Sequence, residues 1–112
     1  NINNMESNIL IYNIEIVNKY YNYDWDDPRY NVNEKIKPLN KKYRYKTNTN
    51  DLKSYLEDCL EEIGQEYCNS LCDTTLDDII IYCEYIIITD NKEEHHKISY
   101  DYNAINSVKL IN

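Results

Sequence analysis

Cys68-X3-Cys72 together with the adjacent His95-His96 supplies two thiols and two imidazoles, a donor set that suits tetrahedral zinc. Their spacing works against a shared ion, because adjacent side chains on a regular element diverge. Cys68 also lies off the apolar arc of the helix that carries it. Packed or partly exposed cysteines and loop histidines are the simpler account. A Cys72 or Cys83 thiol beside His95 would be the only nucleophile pair, and nothing in the sequence orients it or builds an oxyanion site. The sole glycine is Gly64, so there is no Gly-rich phosphate loop. The acidic pairs Glu61/Glu62 and Asp77/Asp78 read as solvent-facing. Neither catalysis, nor a cofactor, nor a metal is expected.

Charge distribution carries more information. Residues 29–50 hold seven bases and one acid, Glu34, whereas residues 51–84 hold ten acids and one base, Lys53. The simplest account is a solvated acidic helix face with the basic segment nearby, each exposed pair contributing at most about 1 kcal/mol. A functional account is recognition of a basic partner by the acidic face, with charge steering the encounter. Its residues are Asp58, Glu61, Glu62 and Gln65, with Asp77 and Asp78 beside them. The opposite account uses Lys41, Lys42, Tyr43, Arg44, Tyr45 and Lys46, where bases interleave with rings that could stack on unpaired nucleotides. That motif is short and degenerate, and the formal net charge of -8 opposes general nucleic-acid binding.

Thirteen Tyr, no Phe and an abundance of Asn, Ile and Lys are the residues that A- and T-rich codons favour, which points to a virus, plasmid, phage or AT-rich microbe. Ile, Leu and Tyr clusters along the whole chain argue against global disorder despite a mean hydropathy of -0.78. At 112 residues the chain reads as one domain, with a basic, loop-rich segment at about 24–50. No segment reaches the roughly twenty apolar residues of a membrane span. The longest, Ile79 to Ile88, carries Glu84, so no membrane partner is expected. Cys59, Cys68, Cys72 and Cys83 fall close together, and no Asn-X-Ser/Thr sequon occurs. Reduced, mostly buried thiols in a cytoplasmic protein are the preferred reading.

The elements that position these groups differ in clarity. Leu52, Tyr55, Leu56, Cys59, Leu60, Ile63, Tyr67 and Leu71 recur at helical spacing, predicting a helix over Asp51 to Asn69 with Asn50 as a reasonable N-cap. Asn8 to Tyr23 fits strand and helix templates almost equally. β-Branched density favours a strand for its first half, with Leu10, Tyr12, Ile14 and Ile16 on one face. Asp26-Asp27-Pro28 reads as a turn, Pro38 stops any regular element, and a short strand is plausible at Lys42 to Lys46. Leu76 to Thr89 is favoured as a buried strand over a second helix. A polar loop, Asp90 to Glu94, then joins it to an alternating strand at Lys97 to Tyr102, and Val108 and Leu110 could add a third. The expected fold is α+β, one long amphipathic helix packed on a small antiparallel sheet; an all-α helical bundle is the alternative.

Leu52-Lys53-Ser54-Tyr55-Leu56-Glu57-Asp58, followed by Leu71 and Leu76-X2-Ile79-Ile80-X-Tyr82-Cys83, resembles the BTB/POZ fold over about 35 residues. That resemblance implies an adaptor role and a helical Leu76 to Ile88. The Ser-Asp-Gly hairpin is missing, the region before Leu52 is too long and basic, and the C-terminal helices are absent. The leading functional expectation is a stoichiometric binding factor, such as an immunity protein or a viral or phage antagonist of a host protein. An intracellular adaptor or homo-oligomer held by apolar contacts through Ile79 to Ile88 is the second class.

Overall fold

The computed structural model describes residues 6–19, 37–39, 42–48, 51–71 and 74–111. It has the α+β architecture, one helix against an antiparallel sheet, and not the all-α alternative. The strands are β1 (Glu6–Asn18), β2 (Lys37–Leu39), β3 (Tyr43–Asn48), β4 (Ile79–Thr89), β5 (Lys92–Tyr100) and β6 (Val108–Ile111), with the helix α1 (Leu52–Asn69) between β3 and β4. The sheet order is β2-β1-β4-β5-β6, and β3 also pairs with β1, so β2 and β3 share one edge of that strand.

β1 and β4 are the centre of the sheet because their β-branched runs suit a pleated surface packed on one side. Ile9, Ile11, Ile14 and Ile16 of β1 are buried with Ile79, Ile81, Cys83 and Tyr85 of β4 and Ile98 and Tyr100 of β5. Leu56, Cys59, Leu60 and Ile63 of α1 close the core over that face. Gly64 brings the helix close: a β-carbon there would stand 2.6 Å from Leu76 Cδ2 and 3.2 Å from Ile81 Cδ1.

The buried set on β1 corrects the single face expected of Leu10, Tyr12, Ile14 and Ile16. Between Tyr12 and Glu15 the register with β4 shifts, and Asn13 stands at φ 49. This is a β-bulge, in which an extra residue in a left-handed conformation resets the alternation. The inward positions switch from odd to even numbers there, and Leu10 and Tyr12 face outward.

Other expectations are adjusted in the same way. Pro38 lies within β2 instead of ending it, since an edge strand tolerates the missing N–H. The helix is capped by Asp51, whose carboxylate accepts from the Ser54 N–H at 3.2 Å. Asn50, the expected cap, and the turn at Asp26-Asp27-Pro28 lie outside the described residues. A single 3-10 turn, Leu76–Asp78, precedes β4, which is a strand and not the helix that the BTB/POZ resemblance implied. The loop expected over Asp90 to Glu94 contracts to Asp90-Asn91, with Asp90 at φ 51. Such a two-residue turn matches strand twist, so Lys92 to Glu94 join the ladder. Among the described residues no helix is long and apolar enough to cross a membrane.

Candidate functional site

Along the exposed side of α1 lies a shallow, open groove lined, among the described residues, by Asp58, Glu61, Glu62, Gln65, Glu66 and Asn69. Helical geometry explains the grouping. Asp58, Glu62, Gln65 and Asn69 recur at i, i+4, i+7 and i+11, opposite the buried stripe of Leu56, Leu60 and Ile63. The structure thus brings together four of the six residues that the sequence singled out. It adds Glu66 and Asn69, which continue the same spacing one turn on.

Asp77 and Asp78 do not line this groove. Asp78 is engaged locally: its carboxylate accepts from the Thr75 N–H at 3.0 Å and from the Thr75 hydroxyl at 3.3 Å. Its carbonyl accepts from the Lys19 N–H at 2.7 Å. Asp77 is exposed on the 3-10 turn.

Every charged group that lines the groove, among the described residues, is a carboxylate. Among the described residues Asp58, Glu61 and Glu62 make no ion pair, and Glu66 accepts a hydrogen bond from the Tyr43 hydroxyl at 3.4 Å. Glu62 has Asp58 four residues before it and Glu66 four after, an arrangement that weakens a helix through like-charge repulsion. The last turn of α1 carries no basic residue, so no side chain of that turn balances the negative end of its dipole. Neighbouring groups sense this field. The Cys59 thiol is pushed up to about 12, mainly by burial and then by Glu62 and Asp58. The Tyr100 phenol rises to about 12 through burial, then Glu61, Tyr102, Glu57 and Asp58.

The basic strand is arranged differently from what stacking on nucleotides needs. Tyr43 and Tyr45 turn inward and pack against the core, while Lys42, Arg44 and Lys46 are exposed on the alternate positions. Tyr45 meets Tyr55 edge-on at a centroid distance of 6.2 Å, and the Tyr55 hydroxyl donates to the Lys46 carbonyl at 2.6 Å. Rings and cations therefore lie on opposite faces of β3. Lys41 lies outside the described residues.

Cys68, expected off the apolar arc, is buried at 3% exposure beside the 3-10 turn, with its pKa raised by burial and then by Asp78. Cys59, Cys68 and Cys83 are buried free thiols, and Cys72 lies outside the described residues. His95 and His96, expected in a loop, sit in β5 and diverge as neighbours on a strand must. His95 Nδ1 is 3.4 Å from the Tyr12 hydroxyl, whereas the His96 ring stacks on Tyr85 at 5.0 Å. Among the described residues no cluster of three or more His, Cys, Asp or Glu could hold a metal.

Compared with known proteins, the chain matches no family model, no curated protein and no solved structure.

Proposed function

We propose that the protein is a non-enzymatic, stoichiometric binding factor whose α1 groove engages a basic surface of another protein, as an inhibitor or antagonist does. The observation that carries this reading is the ladder of Asp58, Glu62 and Glu66 along one open groove. Such a ladder is a liability to the helix, since each like-charge pair at i, i+4 costs about 0.2–0.5 kcal/mol. A surface that binds a partner can carry such a cost, because function and stability trade off against each other. A one-signed surface also raises the association rate with an oppositely charged partner, which suits a blocker that must act quickly. Asp58, Glu61, Glu62 and Glu66 supply the charge, while Gln65 and Asn69 supply neutral hydrogen-bonding groups between them.

The test is affinity capture from lysate of an AT-rich source cell or its host, at low and moderate salt, with wild-type protein and a Glu61→Lys/Glu62→Lys variant side by side. One basic partner retained in stoichiometric amount by wild type, lost as salt rises and lost by the variant, supports the reading. A partner that both proteins retain equally and independently of salt overturns it.

A further inference from the structure

The outer face of the sheet is a second surface, on the side away from α1. Leu10, Ile86 and Ile88 are half-buried there yet stand outside the core cluster, and among the described residues no element packs on them. The ladder registers fix what surrounds this apolar stripe. Read across β3, β1, β4 and β5, one row runs Lys46, Asn8, Ile88, Glu93, and the next runs Arg44, Leu10, Ile86, His95. Each row begins with a base and ends with an acid or an imidazole, with its apolar groups at the centre.

The first of these rows is complementary to itself, base against acid. A two-fold axis placed between β1 and β4, along the strands and midway between two facing sheets, exchanges the two ends of every row. Leu10 of one copy then lies over Ile86 of the other, and Lys46 over Glu93, and each contact occurs twice because the interface is isologous. Further along the same pair of strands Val17 lies over Ile80, and Tyr12 over Glu84. Lys42, just before β3, comes nearest to Lys97, and both side chains are exposed and long enough to turn apart toward solvent. The axis keeps the strands of the two sheets nearly aligned, which is the common geometry of sheet-on-sheet packing.

The area is adequate. β1 and β4 contain 13 and 11 residues. At about 3.3 Å per residue, and about 4.8 Å between strands, these two with the 6 residues of β3 and the 9 of β5 present roughly 600 Å² per copy. That is at the lower end of the roughly 600–1,000 Å² per partner of a stable interface.

We propose that two copies of this chain pack through their outer sheet faces as a two-fold dimer centred on Leu10 and Ile86, with Lys46 of each copy paired to Glu93 of the other. The dimer leaves the α1 grooves on its two outer sides, so it does not depend on the reading of that groove.

Sedimentation of the full chain over a concentration series tests this directly. Wild type should be dimeric. Lys46→Glu, at an exposed position that folding does not need, should weaken the dimer by about tenfold or more, because a like charge replaces an attractive one at two symmetric sites. Lys46→Glu combined with Glu93→Lys should restore the wild-type dissociation constant, since every homodimer then carries the pair reversed. Ile86→Asp should give monomer, with circular dichroism reporting whether the variant is folded. A wild-type monomer at the highest concentration reached, or a dimer indifferent to both Lys46→Glu and Ile86→Asp, overturns the proposal. Failure of the double charge reversal to rescue the single one overturns the assigned register.

Discussion

Deleting Asn13 should leave the protein folded, whereas deleting Leu10, three residues earlier in the same strand, should come close to unfolding it. At the bulge, β1 carries one residue more than β4 between the Tyr12/Glu84 and Glu15/Tyr82 pairs. Removing Asn13 therefore gives an uninterrupted alternation in which Ile9, Ile11, Ile14 and Ile16 all keep their places in the core. The deletion relieves a non-glycine residue at φ 49, a gain of about 1 kcal/mol. It also removes the hydrogen bond from the Asn13 side-chain amide to the Glu84 carboxylate, a loss of about 1 kcal/mol. These offset, and the remaining cost falls on the short β2 ladder, for a net change within about 2 kcal/mol. Deleting Leu10 has no such escape. Whichever half of the strand keeps its register, Ile9 or Ile11 leaves the core and Asn8 or Tyr12 enters it. Losing one buried Ile costs about 2–3 kcal/mol. Burying an unsatisfied amide or overfilling the site adds about 1–3 kcal/mol. A total of about 4 kcal/mol is a large part of the roughly 5–15 kcal/mol that holds such a domain together. Urea titration followed by far-ultraviolet circular dichroism, extrapolated linearly to water, measures both variants. If the Asn13 deletion loses as much stability as the Leu10 deletion, the assignment of Asn13 as the surplus residue is wrong.

Gly64→Val should cost about 3 kcal/mol by thermal unfolding, because the added carbons meet Leu76, Ile79 and Ile81. Gly64→Ala should cost about 1 kcal/mol or less, since better helix propensity offsets a smaller clash. Glu62→Lys should stabilise the protein by about 1 kcal/mol in the same assay, by turning repulsion with Asp58 and Glu66 into attraction. The Asp101 carboxyl is buried enough to raise its pKa, but the Lys19 hydrogen bond, the Asn103 N–H and the charges of Lys19 and Lys109 outweigh this and leave it below its ordinary value of 3.8. A depressed folded-state pKa contributes stability above the ordinary value and loses it as pH falls through the folded one. Asp101→Asn should accordingly flatten the acid limb of a stability–pH profile and leave its alkaline side unchanged. Alkylation at mildly alkaline pH, mapped by mass spectrometry, should spare Cys59, Cys68 and Cys83 until denaturant is added. Burial raises all three pKa values, Cys59 and Cys83 to about 12.

How far the sequence could be read depended on how many residues repeated each signal. α1 was legible because its apolar spacing persists over 18 residues, and its ends were predicted within one position. The hairpin of β4 and β5 was legible from its β-branched run and the alternation after it. The facing of β1 was not, because a bulge reverses alternation without changing composition. The available clue was Asn13 itself, a residue that tolerates positive φ, standing inside an isoleucine-rich strand. Pro38 misled because the edge status that makes it harmless is a tertiary property. In the groove, Asp58, Glu61, Glu62 and Gln65 could be read from helical spacing alone, and Glu66 and Asn69 follow from the same rule extended one turn. Only charge relates Asp77 and Asp78 to them. The Thr75-X2-Asp78 spacing was the sign that one of these carboxylates serves a local cap.

Zero-length carbodiimide coupling of the captured complex, followed by mass spectrometric mapping, is the most direct test of the α1 groove as the recognition surface. It joins carboxylates to lysines only where they touch. Partner lysines attached to Asp58, Glu61, Glu62 or Glu66 are the predicted result. Partner lysines attached instead to Glu15, Glu84 or Glu93 on the outer sheet face, with α1 unmodified, would contradict it.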